Sequence, residues 1–211
     1  SLKNVHVLGC NDGEGGGMLV LAKDRAGKWT GRKIAYADER RTSTLKSSEG
    51  GRYMIGNYGL KSPYDALIRV DPNAKALAAA DVLQVPGNQS ACQFELSGDG
   101  KRAACAGEPT GLELESEFAV WEADTGKVLL KQASSREKTT TLKLDSDGSV
   151  LVRAVQTYSP LENKKGQPRF EPSGSRIEVW DVPAGGPMPE KPRQVFPMAD
   201  GPVVGLALDE K

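Results

Sequence analysis

Histidine is almost absent from this chain: His6 is the only one in 211 residues. Acid–base chemistry relies on histidine more than on any other side chain. His6 falls in a short apolar stretch predicted to be a strand, with no nucleophile motif near it. No Gly-x-Ser-x-Gly turn is present to expose a serine nucleophile, and no Cys-x-x-Cys-His run to attach haem. The three cysteines, Cys10, Cys92 and Cys105, cannot form a fully paired disulfide framework and lack zinc-ligand spacing. Charge of one sign is also missing. Lys+Arg and Asp+Glu both number 28, so the basic excess of a nucleic-acid binder is absent. No apolar run approaches the roughly 20 residues of a membrane span. These absences predict no catalytic residue, no cofactor, no metal, no nucleic-acid partner and no membrane partner.

What is present is a repeat with a period of about fifty residues. Residues 45–52, 94–101 and 142–149 each run from an alternating strand into a Gly-containing turn, then into a second apolar strand. A unit that cannot bury its own face must stack on its neighbours. The predicted fold is therefore all-β, a β-propeller of four-stranded antiparallel blades. About four blades fit this chain, either as a closed disc or as part of a larger ring. With strands a to d counted from the axis outwards, strand a is expected at 42–46, 92–96, 140–144 and 203–208. Strand b is expected at 53–56, 102–106 and 150–155, and strand c at 67–70, 118–121 and 177–180. Strand d is expected at 76–79, 128–131 and 194–196. The first blade begins at strand b (4–9), followed by 18–21 and 29–34. One propeller unit over 1–211 results: blade one from 1–36 plus 201–211, blade two 37–86, blade three 87–135, blade four 136–200. The C-terminal strand would complete blade one and remove an exposed edge. The start at Ser1 reads as processed, trimmed or engineered, and an end at 209–211, inside an expected hairpin, leans towards a fragment or a cleaved chain.

Ile177-Glu178-Val179-Trp180-Asp181 resembles the strand-c ending of the WD-repeat family. Phe118-Ala119-Val120-Trp121-Glu122 is a close variant, and the Ser97–Lys101 turn is similar to the a–b turn of that family. Blade two is weaker, with Arg69-Val70-Asp71 at the corresponding place. The resemblance implies a divergent WD-like propeller. The Gly-His pair of the family is absent, which excludes the histidine-centred hydrogen-bond network of typical members. Thr125–Leu129 also resembles repeats of quinone-dependent dehydrogenase propellers, where the motif serves blade packing, so no quinone is inferred.

Binding is expected on the rim carrying the b–c and d–a loops, because variable loops on a rigid scaffold are the usual recognition elements. Blade four has the longest b–c segment, 156–175, treated as a loop, with Tyr158, Lys164, Lys165, Arg169 and Phe170 as candidate partner-binding residues. Blade two adds Tyr58 and Tyr64. An acidic b–c stretch carries Glu108, Glu113, Glu115 and Glu117, opposite in sign to blade four. Lys33, Arg40 and Arg41 form a smaller basic group. The 11–17 loop lacks P-loop and EF-hand spacing, and Asn88-Gln89-Ser90 is formally a glycosylation sequon. If Leu96 pairs with Lys101, Cys92 and Cys105 lie opposite each other, farther apart than a relaxed disulfide prefers. Two small buried side chains are the preferred reading.

The expected function is a non-catalytic scaffold binding protein partners through the b–c/d–a rim, with a second chain or a homodimer as a further way to complete a larger ring. The alternatives are an accessory propeller domain of a larger enzyme and a propeller that binds a small molecule or metal. Fold alone does not choose among them.

Overall fold

Short β-rich runs between Gly- and Asp-containing turns become fifteen strands, with no helix among the described residues. The computed structural model describes residues 5–11, 16–23, 26–35, 42–47, 53–58, 64–69, 82–84, 91–109, 114–161, 169–198 and 201–208. Four antiparallel meanders follow one another. The first sheet has three strands, β1 (Val5–Asn11), β2 (Gly16–Lys23) and β3 (Trp29–Ala35). The second holds β4 (Thr42–Ser47), β5 (Tyr53–Tyr58), β6 (Tyr64–Arg69) and β7 (Val82–Gln84). The third holds β8 (Ala91–Leu96), β9 (Arg102–Gly107), β10 (Glu115–Glu122) and β11 (Val128–Ser135). The fourth holds β12 (Glu137–Leu144), β13 (Val150–Leu161), β14 (Arg169–Asp181) and β15 (Gln194–Met198). Sheets touch in chain order through their first strands: β1 lies against β4, β4 and β5 against β8, and β8 and β9 against β12. Consecutive antiparallel sheets stacked in this way make a β-propeller.

The blades are held by apolar faces that alternate along each strand. Ala104, Ala106, Phe118, Val120 and Leu130 of the third sheet close on Leu142, Leu144, Leu151, Trp180 and Val182 of the fourth. The reverse face of the third sheet collects Phe94, Leu96, Ala103, Cys105, Ala119 and Trp121. Each large buried side chain stabilises by roughly 1.5–3 kcal/mol.

Polar groups at the a–b turns add a cross-blade staple. The Asp99 N–H donates to the Ser146 carbonyl at 2.8 Å. Arg102 Nη1 donates to the carbonyls of Gly148 (2.8 Å) and Val182 (2.9 Å). Gly148 has φ +73°, and a Cβ there would lie 2.6 Å from Arg102 Cδ. Gly148→Ala is therefore expected to destabilise by about 1–3 kcal/mol, from left-handed backbone strain and a displaced Arg102. Denaturant unfolding checks this; a change below about 0.5 kcal/mol would show that Arg102 is no staple.

Two expectations are corrected. Residues 201–208 are described and form no strand, and β1 has only β2 beside it among the described residues. The C-terminal segment is instead tied to the fourth sheet: Thr140 Oγ1 donates to the Val203 carbonyl at 2.7 Å and Ser175 Oγ to that of Gly201 at 2.6 Å. Cys105 pairs in register with Phe94, not with Cys92. The hairpin closes with Ser97 N–H donating to the Arg102 carbonyl, which moves the register from the expected Leu96–Lys101 pair. Cys105 is buried in the core of the third sheet. The outer strand of blade two is β7, whereas the expected 76–79 lies outside the described residues.

Candidate interaction rim

Strands β13 and β14 are the longest among the described residues, at 12 and 13 residues. Their neighbours stop early. The β12 register ends at Glu137 opposite Thr157, and the β15 register ends at Met198 opposite Ser175. Beyond those points β13 and β14 pair with each other as a two-stranded ribbon, tied at its base by the Tyr158 N–H donating to the Arg136 carbonyl at 2.9 Å, so most of 156–175 is paired strand and not the loop expected from sequence. Proline is tolerated here because, among the described residues, neither Pro160 nor Pro172 has a β12 or β15 partner requiring its N–H. Pro160 pairs with Phe170, and Pro172 with Tyr158.

The register sorts the candidate residues. Tyr158, Pro160, Phe170 and Pro172 share one face of the ribbon, with Tyr158 and Phe170 half-buried. Ser159, Leu161, Arg169 and Glu171 take the other, and Leu161 and Arg169 are exposed. Arg169 is thus on the reverse face from the two aromatics with which the sequence groups it. Lys164 and Lys165 lie outside the described residues. Tyr58, which ends β5, and Tyr64, which begins β6, are a directly opposed pair on the same b–c side of the propeller. They are strand residues and not loop residues.

The acidic stretch is partly neutralised. Glu108 accepts from Lys138 Nζ at 2.7 Å and Glu117 pairs with Lys131 at 3.0 Å. Glu115 is exposed on β10, and Glu113 lies outside the described residues. Lys33 is exposed on β3, while 12–15, Arg40, Arg41 and the sequon at 88–90 are outside the description. Among the described residues no group of three or more His, Cys, Asp or Glu side chains is placed to hold a metal ion.

At the base of the ribbon sits a polar network that the sequence reasoning missed. Arg153 on β13 and Glu178 on β14 are direct cross-strand partners, both nearly fully buried. Arg153 Nε donates to Glu178 Oε2 at 2.7 Å, and Trp180 Nε1 donates to the same oxygen at 2.8 Å. Arg176 Nε donates to Glu178 Oε1 at 2.7 Å and its Nη2 to Glu137 Oε1 at 2.6 Å. Arg153 Nη2 lies 3.5 Å from Glu137 Oε2. The two arginines and two glutamates balance in charge.

The network also reaches the neighbouring blade. The Arg153 guanidinium carbon is 4.0 Å from the centre of the Phe118 ring, which meets Trp180 edge-on at 5.3 Å. Burial by itself pushes the Glu178 carboxyl upward. The hydrogen bond and charge of Arg153, the Trp180 N–H and the charge of Arg176 outweigh it and hold the group below the ordinary carboxylate range. Burial likewise opposes the Arg176 charge, and the Glu137 and Glu178 carboxylates outweigh it, raising that pKa. A readable signal exists: Arg153 interrupts the apolar run Val150-Leu151-Val152-Arg153-Ala154-Val155, and a charge within a buried strand requires a partner.

No family model matches the chain, and no curated protein matches it in sequence. Solved structures do match in fold. Hydrazine synthase of Kuenenia stuttgartiensis is 16% identical with a TM-score of 0.54, the match covering 91% of this chain and 50% of that one. Hsv2 of Kluyveromyces lactis is 11% identical with a TM-score of 0.53, over 85% of this chain and 47% of that one. The β-propeller domain of the Trilobed protease from Pyrococcus furiosus is 10% identical with a TM-score of 0.47, over 93% and 53%. This chain spans about half the length of the chains it matches.

Proposed function

We propose that this propeller is a non-catalytic, divergent WD-like scaffold that binds a protein partner through its b–c/d–a rim, with the β13–β14 ribbon as the principal contact. The observation that carries the reading is the ribbon face made by Tyr158, Pro160, Phe170 and Pro172, held outside the blade on a base fixed by buried ion pairs. Aromatic side chains on a rigid support supply large contact area at small entropic cost. The prolines remove two N–H donors, which favours recognition through the ribbon face over strand addition along its edges.

Register makes the proposal specific. Tyr158→Ala and Phe170→Ala are each expected to weaken partner binding by at least tenfold, while Arg169→Ala on the reverse face changes it less than threefold. Melting temperatures should stay close to that of the unmodified chain in all three. Quantitative cross-linking mass spectrometry of captured partners, comparing the three variants, reads the difference. Capture by the Tyr158 and Phe170 variants equal to that of the unmodified chain would sink the proposal.

The second reading is an accessory propeller of a larger enzyme. Its support is the match to half of a hydrazine synthase chain. In that case the ribbon variants would leave binding intact, and catalysis would belong to another domain of that enzyme.

A further inference from the structure

The register of the ribbon sets two aromatic rings at a fixed spacing. Tyr158 lies opposite Pro172 and Phe170 opposite Pro160, so Tyr158 and Phe170 are diagonal neighbours on one face. Diagonal positions on a strand pair are about 7–8 Å apart. That leaves room for one flat apolar group between two rings, since each contact needs about 3.5–4.0 Å. Both aromatic residues are half-buried, and the two prolines beside them are exposed. The base beneath them is braced. Thr157 Oγ1 and Gln156 Nε2 donate to the Gly174 carbonyl at 3.1 and 3.2 Å, and the Tyr158 N–H donates to the Arg136 carbonyl at 2.9 Å. A surface held in this way loses little freedom on binding.

The chemistry of this face narrows its occupant. It carries no charge, because Arg169 and Glu171 take the reverse face. An acidic or basic segment therefore finds no counter-charge on it. The ring faces of Tyr and Phe are electron-rich. They complement C–H groups that carry partial positive charge, as those of a proline ring do beside the amide nitrogen. Pro160 and Pro172 have no N–H to give to an added strand. A polyproline II segment needs none, since it has no ladder hydrogen bonds and leaves its carbonyls free to accept. The Tyr158 hydroxyl can donate to such a carbonyl. The chain's own proline-rich stretch, Pro187–Pro192, leaves the other end of β14. Gln132 Nε2 of the third sheet holds its Pro189 carbonyl there at 2.9 Å, so that stretch does not fill the face beside it.

We propose that the ribbon face reads a proline-rich segment of another protein in the polyproline II conformation, with one proline ring seated between Tyr158 and Phe170. The inference rests on the ribbon being the contact surface, and names the class of partner that surface takes. Aromatic-lined clefts recognise such segments through preformed shape and carbonyl acceptance. The low conformational freedom of the free peptide adds to the fit.

Calorimetric titration of the full chain with decaproline tests this, with a Gly-Ser peptide of equal length as control. Decaproline should bind saturably and the control should not. Tyr158→Ala and Phe170→Ala should each weaken decaproline binding by at least about tenfold. Tyr158→Phe, which keeps the ring and removes the hydroxyl, should weaken it by about threefold to tenfold. Arg169→Ala should change it by less than about threefold. No saturable binding at millimolar decaproline overturns the inference, as does equal binding of the control peptide. Decaproline affinity that is unchanged in both alanine variants places the peptide elsewhere and overturns it too. The two readings fail separately. If decaproline does not bind while the alanine variants still lose captured partners, the ribbon remains the contact surface and its partner is of another class.

Discussion

Replacing Arg153 by Met is expected to destabilise the protein by about 3–5 kcal/mol, because it leaves a net negative charge buried between the blades. The loss corresponds to a fall of roughly 6–20 °C in Tm for a chain of this size. The charge balance explains the magnitude. Arg153 and Arg176 face Glu137 and Glu178, and Arg176 alone cannot neutralise both carboxylates. The double variant Arg153→Met with Glu178→Gln should be less destabilised than Arg153→Met alone. It restores the balance, and the Gln oxygen still accepts from Trp180 Nε1. If the double variant is as unstable as the sum of the singles, the network is not a unit.

The same group sets an acid dependence. The Glu178 pKa is lowered in the folded state. Its stabilising contribution is therefore fully present above the ordinary carboxylate value of about 4.5 and is lost as pH falls through the folded value. A thermal-melting series from pH 7 to pH 3 should show a steeper decline for the unmodified chain than for Glu178→Gln. Parallel curves would remove Glu178 from the acid response.

The blades were legible in the sequence because their signals are local. Alternation in Phe94-Glu95-Leu96, the Asp99-Gly100 turn and the Val-Trp-Asp ending at 181 each specify a strand or its end within a few residues. What was not legible depends on pairings across space. The segment 156–175 was expected as a loop, and only the retreat of β12 and β15 from it makes its prolines at 160 and 172 compatible with strands. The Cys92–Cys105 register failed by one hydrogen-bonded pair at a turn. The aromatic face of the ribbon and the reverse position of Arg169 follow from the bulge at Thr157/Tyr158 together with the pairing beyond it. Arg153 was visible as an anomaly in an apolar strand, but its partner lies 25 residues away on the next strand.

Phe118→Ala should cost about 3–5 kcal/mol, the range for truncating a buried aromatic. Phe118 is 2% exposed and belongs to the third sheet, yet its ring supports Arg153 and meets Trp180 of the fourth. The truncation therefore removes packing and the cation–π support of a buried guanidinium together. A double-mutant cycle with Arg153→Met should show coupling of about 0.5–3 kcal/mol, since each single change already dismantles part of the shared contact. Trp121→Ala empties the opposite face of the same sheet, among Phe94, Leu96 and Cys105. Its cost should be similar, but its coupling to Arg153 should be within about 0.5 kcal/mol of zero. Repeat arrays transmit stability through nearest-neighbour interfaces, so the contrast separates the two seams flanking the third blade. Equal coupling of both aromatics to Arg153 would mean that stability is shared throughout the propeller and not carried seam by seam.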